Sequence, residues 1–202
     1  FLRAHIARLG YLPTFAIMDA ADSQALVREI LTEKGLDITH YRPSALQGRI
    51  SRIKNDFVTP EEAKNQAASF YEKVVADLYA AYQAKLKSNN SLDFDDLLLL
   101  SATLLEQDAE VREAAQQRYR YLLIDEYQDT NQVQYRLALA IAGEHRNICA
   151  TGDPDQSIYR WRGADINNIL NFERDFPGAA TVKLEENFRS TKVILQAASS
   201  LI

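Results

Sequence analysis

The stretch YLLIDEYQDT, residues 121–130, decides the fold of this 202-residue chain. Its first four residues are an apolar run of the length and type expected for a fully buried strand. The run ends on two acids, Asp125 and Glu126. Open α/β sheets bind their ligands beyond the carboxyl ends of parallel strands, so a site is expected here. Adjacent carboxylates point in different directions, which lets one serve a metal ion while the other polarises water.

Further strands and helices alternate after this stretch. Apolar residues predict strands over 147–151 and 181–184, and helical patterns predict helices over 132–142 and 165–175. Strands that alternate with helices favour a parallel, doubly wound sheet. The second half of the chain is therefore predicted to be an α/β unit.

Residues 1–90 show helical periodicity and no comparable strand signal, which predicts an all-helical unit. Its clearest helix start is Thr59-Pro60-Glu61-Glu62, where Thr59 can cap and Glu62 completes a capping box. Apolar residues then recur at three- and four-residue steps as far as Leu86, which predicts one long amphipathic helix. The polar run at 88–91 is the predicted boundary between the two units, and Asp93 is the predicted cap of the next helix.

Composition indicates an ordinary globular protein. Hydrophobic residues make up 47% and charged residues 25%, with a net charge of −5. The charge is uneven: residues 1–90 carry 12 Lys and Arg against 10 acids, and residues 91–202 carry 11 against 18. The single cysteine, Cys149, cannot form an internal disulfide, which favours a reducing, cytoplasmic location. No apolar run approaches the roughly 20 residues of a membrane span, and the start on Phe1 predicts a piece of a longer protein.

Three blocks resemble, in order, motifs of the UvrD/Rep/PcrA-type superfamily 1A DNA helicases. Residues 125–130 resemble motif II, the Walker B element. GDPDQSIYRWRGA at 152–164 resembles motif III, and LEENFRS at 184–190 resembles motif IV. LDFDDL at 92–97 is also similar, so the resemblance covers essentially the whole chain. It identifies the chain as an internal fragment that spans motifs II, III and IV.

The resemblance implies a partial RecA-like P-loop NTPase sheet with an all-α inserted subdomain. Residues 1–90 would be the helical inserted subdomain, which is 1B-like. Residues 91–190 would be the second half of the first RecA-like ATPase domain, which is 1A-like. Residues 191–202 would begin the helix that leads to the second RecA-like domain.

The resemblance also implies ATP and Mg²⁺ as cofactors and assigns five residues to them. Asp125 would hold Mg²⁺ through a coordinated water, and Glu126 would orient and deprotonate the attacking water. Gln156 would sense the γ-phosphate and couple it to DNA. Arg189 would reach the γ-phosphate, which a guanidinium can meet bidentately. Phe188, where the family often has Tyr, would pack on the nucleotide base.

A G-x-x-x-x-G-K-[ST] loop does not occur in the 202 residues, because none of the seven glycines precedes a lysine. The phosphate cradle of such a loop and its lysine are therefore missing from this sequence. We expect the 202-residue stretch alone to be inactive as an ATPase, and the full-length protein to be the enzyme.

Aromatic and basic residues alternate in Tyr159-Arg160-Trp161-Arg162, as single-strand binding requires: rings for bases and guanidinium groups for phosphates. The resemblance implies that the ring of Trp161, the only tryptophan, stacks on a DNA base. Tyr159, Arg162 and Phe94 would line the same track. The expected partners are single-stranded DNA, junctions of single- and double-stranded DNA, and repair or replication proteins; no membrane partner is expected.

The implied function is ATP-driven 3′-to-5′ movement on single-stranded DNA and duplex unwinding, in DNA repair or replication. Two alternatives stay open. The chain could belong to the motor subunit of an AddA/RecB-like helicase–nuclease, which a nuclease domain elsewhere in the full chain would decide. It could also be a DNA-binding or protein-docking module without ATPase activity of its own.

Overall fold

The computed structural model describes residues 1–200, and within them the chain has a mixed α/β fold. The helices are α1 (Leu2–His5), α2 (Ala20–Glu33), α3 (Pro43–Asn55), α4 (Pro60–Gln66), α5 (Phe70–Ser88), α6 (Phe94–Gln107), α7 (Ala109–Arg118), α8 (Gln132–Ala142), α9 (Asn167–Leu170), α10 (Phe172–Asp175) and α11 (Lys192–Ser199). The strands are β1 (Ala16–Ile17), β2 (Ser91–Leu92), β3 (Leu122–Ile124) and β4 (Ile148–Ala150). None of these helices is both long and apolar enough to cross a membrane.

Helices α2, α3 and α5 form a helical unit around one hydrophobic core. The apolar stripe of α2, which includes Val27 and Leu31, packs against Ile50 of α3 and against Tyr79 and Tyr82 of α5, and all five side chains are buried. Asp19 starts α2 with a capping box that involves Asp22. The helical interpretation of 19–90 is confirmed.

Residues 1–18 do not fit the expectation of an all-helical first unit. β1 pairs in parallel with β2, in the register Ala16 to Ser91 and Ile17 to Leu92. The apolar residues before β1, among them Ile6 and Phe15, pack on Leu92 and on α6 rather than on the helical unit. A two-residue strand carries too little periodicity to be detected in the sequence, so the structure corrects this prediction.

The predicted long helix after Thr59 is wrong in its length. Thr59 and Glu62 form the expected capping box, but α4 ends at Gln66. Ser69 then starts α5 with a second capping box, in which Glu72 accepts from the Ser69 backbone N–H. The apolar spacing continues across the break, which is why periodicity alone merged the two helices.

β3 and β4 form a parallel pair in the register Leu122 to Ile148, Leu123 to Cys149 and Ile124 to Ala150. The two strands therefore confirm the predicted strands at 121–124 and 147–151. The expectation of a fully buried strand is wrong, because the Leu123 side chain is 77% exposed. A buried strand needs neighbours on both faces and both edges, and β3 is paired along one edge only.

The predicted third strand at 181–184 is also wrong. Its residues are exposed and belong to neither of the two strand pairs found in residues 1–200, and Val182 is 79% exposed. The predicted helix at 165–175 is present as two short helices, α9 and α10, and it ends before Pro177 as expected. Strand formation depends on a partner edge, which the local apolar pattern of 181–184 does not reveal.

Candidate functional site

The ends of β3 and β4 bring two loops side by side. The backbone N–H of Thr151 donates to the carbonyl of Ile124 at 2.8 Å, and the N–H of Tyr127 donates to the carbonyl of Thr151 at 3.0 Å. The pairing therefore continues past both strands. It places Asp125 and Glu126 beside the loop that begins at Gly152, at the carboxyl edge of the parallel pair.

The two acids are exposed at this edge and the backbone holds them in a tight turn. The carboxylate of Asp125 accepts from the N–H of Glu126 at 3.0 Å. Glu126 adopts φ +51°, in the left-handed region that residues with a Cβ rarely occupy. Such a conformation persists only where the surroundings enforce it, and it occurs often at functional sites.

Gln128 is buried and joins the two loops. Its Nε2 donates to the carboxylate of Glu126 at 2.7 Å, and its Oε1 accepts from the N–H of Asp153 at 3.1 Å. The side chain therefore fixes the Glu126 carboxylate relative to the Gly152 loop. The sequence pattern assigns no role to Gln128, because the inward direction of its side chain depends on the left-handed turn at Glu126.

Gly152 leaves the space that this bridge needs. A Cβ on Gly152 would lie 2.6 Å from Oε1 of Gln128 and 2.8 Å from Cδ1 of Ile169. Both distances are too short for a real Cβ contact. A glycine at the end of β4 was thus the available sequence signal that another side chain approaches the backbone there.

Tyr127 anchors the turn that carries Asp125 and Glu126, called the acid turn below, to the rest of the domain. Its side chain is buried, and its ring meets the ring of Phe172 edge to face at 5.5 Å between centroids. Within residues 1–200 the phenol oxygen has no hydrogen-bond partner. Burial raises the pKa of Tyr127 to about 12, and the nearby Tyr135 and Asp175 add to that rise.

Gln156 lies at the end of a short 3₁₀ turn, Pro154–Gln156, and its side chain is exposed. Its Nε2 donates to the carboxylate of Asp153 at 2.7 Å. Asp153 is also the residue whose N–H reaches Gln128. A chain of contacts therefore runs from Glu126 through Gln128 and Asp153 to Gln156, so the structure brings these predicted residues into one connected site.

An exposed aromatic and basic surface follows on the same loop. Arg160–Arg162 is a 3₁₀ turn, and the Trp161 side chain is 74% exposed. The guanidinium of Arg162 lies 4.6 Å from the Trp161 ring and 4.9 Å from the Tyr159 ring. These cation–π contacts hold the two rings and a positive charge in one patch. Phe94, the first residue of α6, is 62% exposed.

The acids near Phe94 are not free for a metal ion. Asp93 and Asp96 accept from the buried Lys54 ammonium at 2.7 Å and 2.8 Å. Asp93 is also the N-cap of α6, as predicted. No group of three or more His, Cys, Asp or Glu side chains in residues 1–200 is placed to hold a metal ion.

Phe188 and Arg189 lie in an exposed turn, and Phe188 is 87% exposed. The Asn187 side chain accepts from the N–H groups of Arg189 and Ser190 at 3.0 Å and 2.9 Å, which makes the turn a local structure. Among residues 1–200 no hydrogen bond or ion pair joins the Arg189 side chain to Asp125, Glu126 or Gln156. The structure therefore leaves these two predicted residues outside the connected site.

Comparison with known families shows to which family the chain belongs. The chain belongs to the UvrD/REP helicase family, whose N-terminal domain matches residues 1–177. Its relatives include proteins named ATP-dependent DNA helicase PcrA. The protein from Bacillus subtilis (strain 168) is 48% identical over 201 residues, and that from Staphylococcus aureus (strain Mu50) is 43% identical. These matches cover the whole chain but only 27% and 28% of the relatives, so the chain spans about a quarter of their length.

Proposed function

We propose that this chain is part of an ATP-dependent DNA helicase that moves 3′-to-5′ along single-stranded DNA and unwinds duplexes. One observation carries the proposal: the acid turn after β3 and the Gln156 loop after β4 are connected, and the aromatic surface continues that loop. A site for hydrolysis and a surface for bases are thus adjacent along one stretch of backbone. The names of the relatives support ATP and DNA as the two ligands.

The domain organisation that fits this function is a RecA-like one. We propose that residues 91–190 form the second half of a RecA-like ATPase domain, with residues 1–90 as its inserted helical subdomain. Residues 191–202 would lead to a second RecA-like domain. The parallel pair of β3 and β4 and the exposed side chain of Leu123 support a larger sheet, and the packing of 1–18 on α6 supports including that segment in the ATPase domain.

The exposed carboxylate of Asp125 fits a magnesium–nucleotide site. Mg²⁺ usually binds through one or two carboxylates together with water and substrate phosphates, so a cage of several acids is not needed. Asp125 would hold the ion through water, and the ion would neutralise charge on the phosphates of ATP. The open edge beyond β3 leaves Asp125 accessible to such a ligand.

The other side chains of the site would act on the attacking water and on the γ-phosphate. Glu126 would orient the water and take its proton, and Gln128 fixes the Glu126 carboxylate for this task. Gln156 carries both a donor and an acceptor, so it can bond to the water and to a phosphate oxygen. Arg189 would bind the γ-phosphate and Phe188 the base after the turn that carries them moves to the nucleotide.

The DNA track would run over the patch made by Tyr159, Trp161 and Arg162, with Phe94 as a further contact. Exposed rings can stack on bases of any sequence, and the Arg162 guanidinium can meet a phosphate. The net charge of −5 does not oppose this, because phosphate contacts are local. Single-stranded DNA and its junctions with duplex DNA are the proposed partners, along with repair or replication proteins.

The experiment that tests this proposal is the DNA-stimulated ATPase activity of the full-length protein carrying Glu126→Gln. The amide keeps the size of the side chain but cannot accept the proton of the attacking water. We expect the turnover number to fall by about 100-fold or more, with DNA affinity unchanged. Glu113→Gln, an exposed acid on α7, is the matched control and should behave as the wild type.

The outcomes separate the proposal from its alternatives. Wild-type protein that binds DNA but hydrolyses no ATP would favour the binding or docking module. DNA cleavage that survives Glu126→Gln would favour the motor of a helicase–nuclease with a separate nuclease site. Equal turnover in Glu126→Gln and Glu113→Gln would overturn the role of Glu126.

A further inference from the structure

The last residue of α3, Asn55, is buried where three segments of the candidate site meet. Its Nδ2 donates to the carboxylate of Asp95 at 3.0 Å and to the carbonyl of Ser51 at 2.8 Å. Its Oδ1 accepts from Nδ2 of Asn131. Only 9% of Asn55 is exposed, so these bonds have little competition from water. One amide thus uses both its donor and its acceptor across three elements.

The first of the three segments is the end of the acid turn. Asn131 is the N-cap of α8 and follows directly after Thr130, the last residue of the stretch 121–130. The carbonyl of Thr130 accepts from the N–H of Asp165 at 2.9 Å and from Nδ2 of Asn168 at 3.0 Å. The Thr130 carbonyl is therefore held by Asp165 and Asn168, and the side chain of the next residue, Asn131, is held by Asn55.

The second segment is the aromatic surface. Gly163 follows Arg162 in a left-handed conformation, with φ +93°. A Cβ at Gly163 would lie 3.5 Å from Cβ of Asn55 and 3.9 Å from Cβ of Asn131. The end of the Tyr159–Arg162 patch therefore rests on the same pair of asparagines.

The third segment is the start of α6. Asp95, which accepts from Asn55, directly follows the exposed Phe94. Burial raises the pKa of the Asp95 carboxyl, because few waters reach it. Ser51 and Asn55, both on α3, donate to this carboxylate, and these bonds fix the first turn of α6, which presents Phe94.

We propose that Asn55 is a positioning residue that couples the candidate ATP site to the candidate DNA surface. The inference rests on the proposed function and deepens it. A shift of the acid turn moves Asn131, and the Asn55 amide transmits that shift to Gly163 and to Asp95. The helical unit would then sense the nucleotide through α3, in which the adjacent Lys54 also bonds to α6. Coupling by this path needs residue 55 to bond to Asn131 and to Asp95 at the same time. An alanine makes neither bond, and an aspartate repels the Asp95 carboxylate.

The test measures coupling rather than stability. The affinity of the full-length protein for fluorescent oligo(dT) is measured with and without a non-hydrolysable ATP analogue, and the ratio of the two dissociation constants is the coupling factor. We expect Asn55→Ala to move this factor towards one by about fivefold or more, the lower range of typical couplings. Asn65→Ala, at an exposed position on α4, is the matched control and should keep the wild-type factor.

A charge swap provides the rescue. Asn55→Asp places a carboxylate against Asp95, so the coupling factor should be lost. Asn55→Asp combined with Asp95→Asn returns the contact between residues 55 and 95, now with the donor on residue 95, and residue 55 still accepts from Asn131. The donor to the Ser51 carbonyl is not restored, so the factor should recover in part. The comparison of this single variant with this double variant also tests the inference if Asn55→Ala does not fold. Equal coupling in the single and the double variant would overturn the inference.

The failure of the inference and that of the proposed function look different. If the DNA affinity of the wild-type protein were the same with and without the nucleotide, both the inference and the proposed function would be overturned. A wild type that responds to the nucleotide, with Asn55→Ala responding equally, would overturn the inference alone. If Asn55→Ala lowered the melting temperature and left the coupling factor unchanged, Asn55 would have a structural role only and the inference would be overturned.

Discussion

At the scale of single residues, Tyr127 makes the stability of the fold depend on pH in the alkaline range. Its phenol is buried and has no hydrogen-bond partner in the described part of the chain, and burial raises its pKa to about 12 from an ordinary value of 10.0. Between these two values the unfolded chain loses the phenolic proton while the folded chain keeps it. Ionisation of the phenol then favours unfolding. The contribution of Tyr127 to the free energy of unfolding is therefore fully present below pH 10 and is lost as the pH rises towards 12.

Tyr127→Phe should remove this alkaline loss. The phenylalanine keeps the edge-to-face contact with Phe172 and deletes an oxygen that bonds to nothing. Wild type and variant should therefore differ by a constant amount below pH 10. Above it, wild type should lose on the order of 1 kcal/mol per pH unit relative to the variant. Urea unfolding across this range measures it, and parallel curves at every pH would contradict the assignment.

Residues at this scale differ in how far the sequence reveals them. The position of Asp125 and Glu126 directly after a strand was predictable, because an apolar run ends on them and such a run is a local signal. The bridge through Gln128 was not, because its direction depends on the left-handed turn at Glu126 and on the close approach of Gly152. The sequence gives one local indication of this arrangement, which is the glycine at position 152.

At the scale of elements, helix starts were the most predictable feature. Thr59 and Asp93 cap their helices as predicted, because a capping box is a pattern contained within four consecutive residues. The break before α5 carries the same signature at Ser69 and Glu72, but continuous apolar spacing concealed it. β1 and the exposed segment 181–184 were misjudged because strands depend on distant partners.

One contact between elements gives a clear stability prediction. Lys54 of α3 is fully buried and bonds to Asp93 and Asp96 at the start of α6. Lys54→Met should destabilise the chain by about 3–5 kcal/mol, because it leaves two buried carboxylates without their cation. Burial already raises the pKa of Asp96, and the Lys54 ammonium is the main influence that opposes this rise. Urea unfolding at neutral pH measures the difference.

Lys64→Met is the matched control for this prediction. Lys64 pairs with Asp77 at 3.0 Å, but 47% and 60% of their side chains are exposed. Exposed pairs contribute little, so this variant should stay within about 1 kcal/mol of the wild type. Similar small losses in both variants would mean that the buried lysine is not the link between α3 and α6.

At the scale of the whole molecule, the chain is acidic although its proposed ligand, DNA, is an anion. The chain carries a net charge of −5, yet the proposed DNA patch contains Arg160 and Arg162 beside two exposed rings. Binding to single-stranded DNA would then combine a few phosphate contacts with stacking. The two contributions can be separated because only phosphate contacts release counterions and depend on salt.

The last prediction uses this difference in the full-length protein. Arg162→Gln should reduce the slope of log affinity against log salt by about 0.7, the value for one phosphate of single-stranded DNA. Trp161→Ala should weaken binding roughly tenfold and leave the slope unchanged, since stacking releases no ions. Phe70→Ala, at a 75% exposed ring on α5, controls for the loss of any exposed aromatic side chain. If Trp161→Ala changed the slope, or if Phe70→Ala weakened binding equally, the patch at 159–162 would not be the DNA track. Anisotropy titrations of labelled oligo(dT) at several salt concentrations give both quantities from one set of curves.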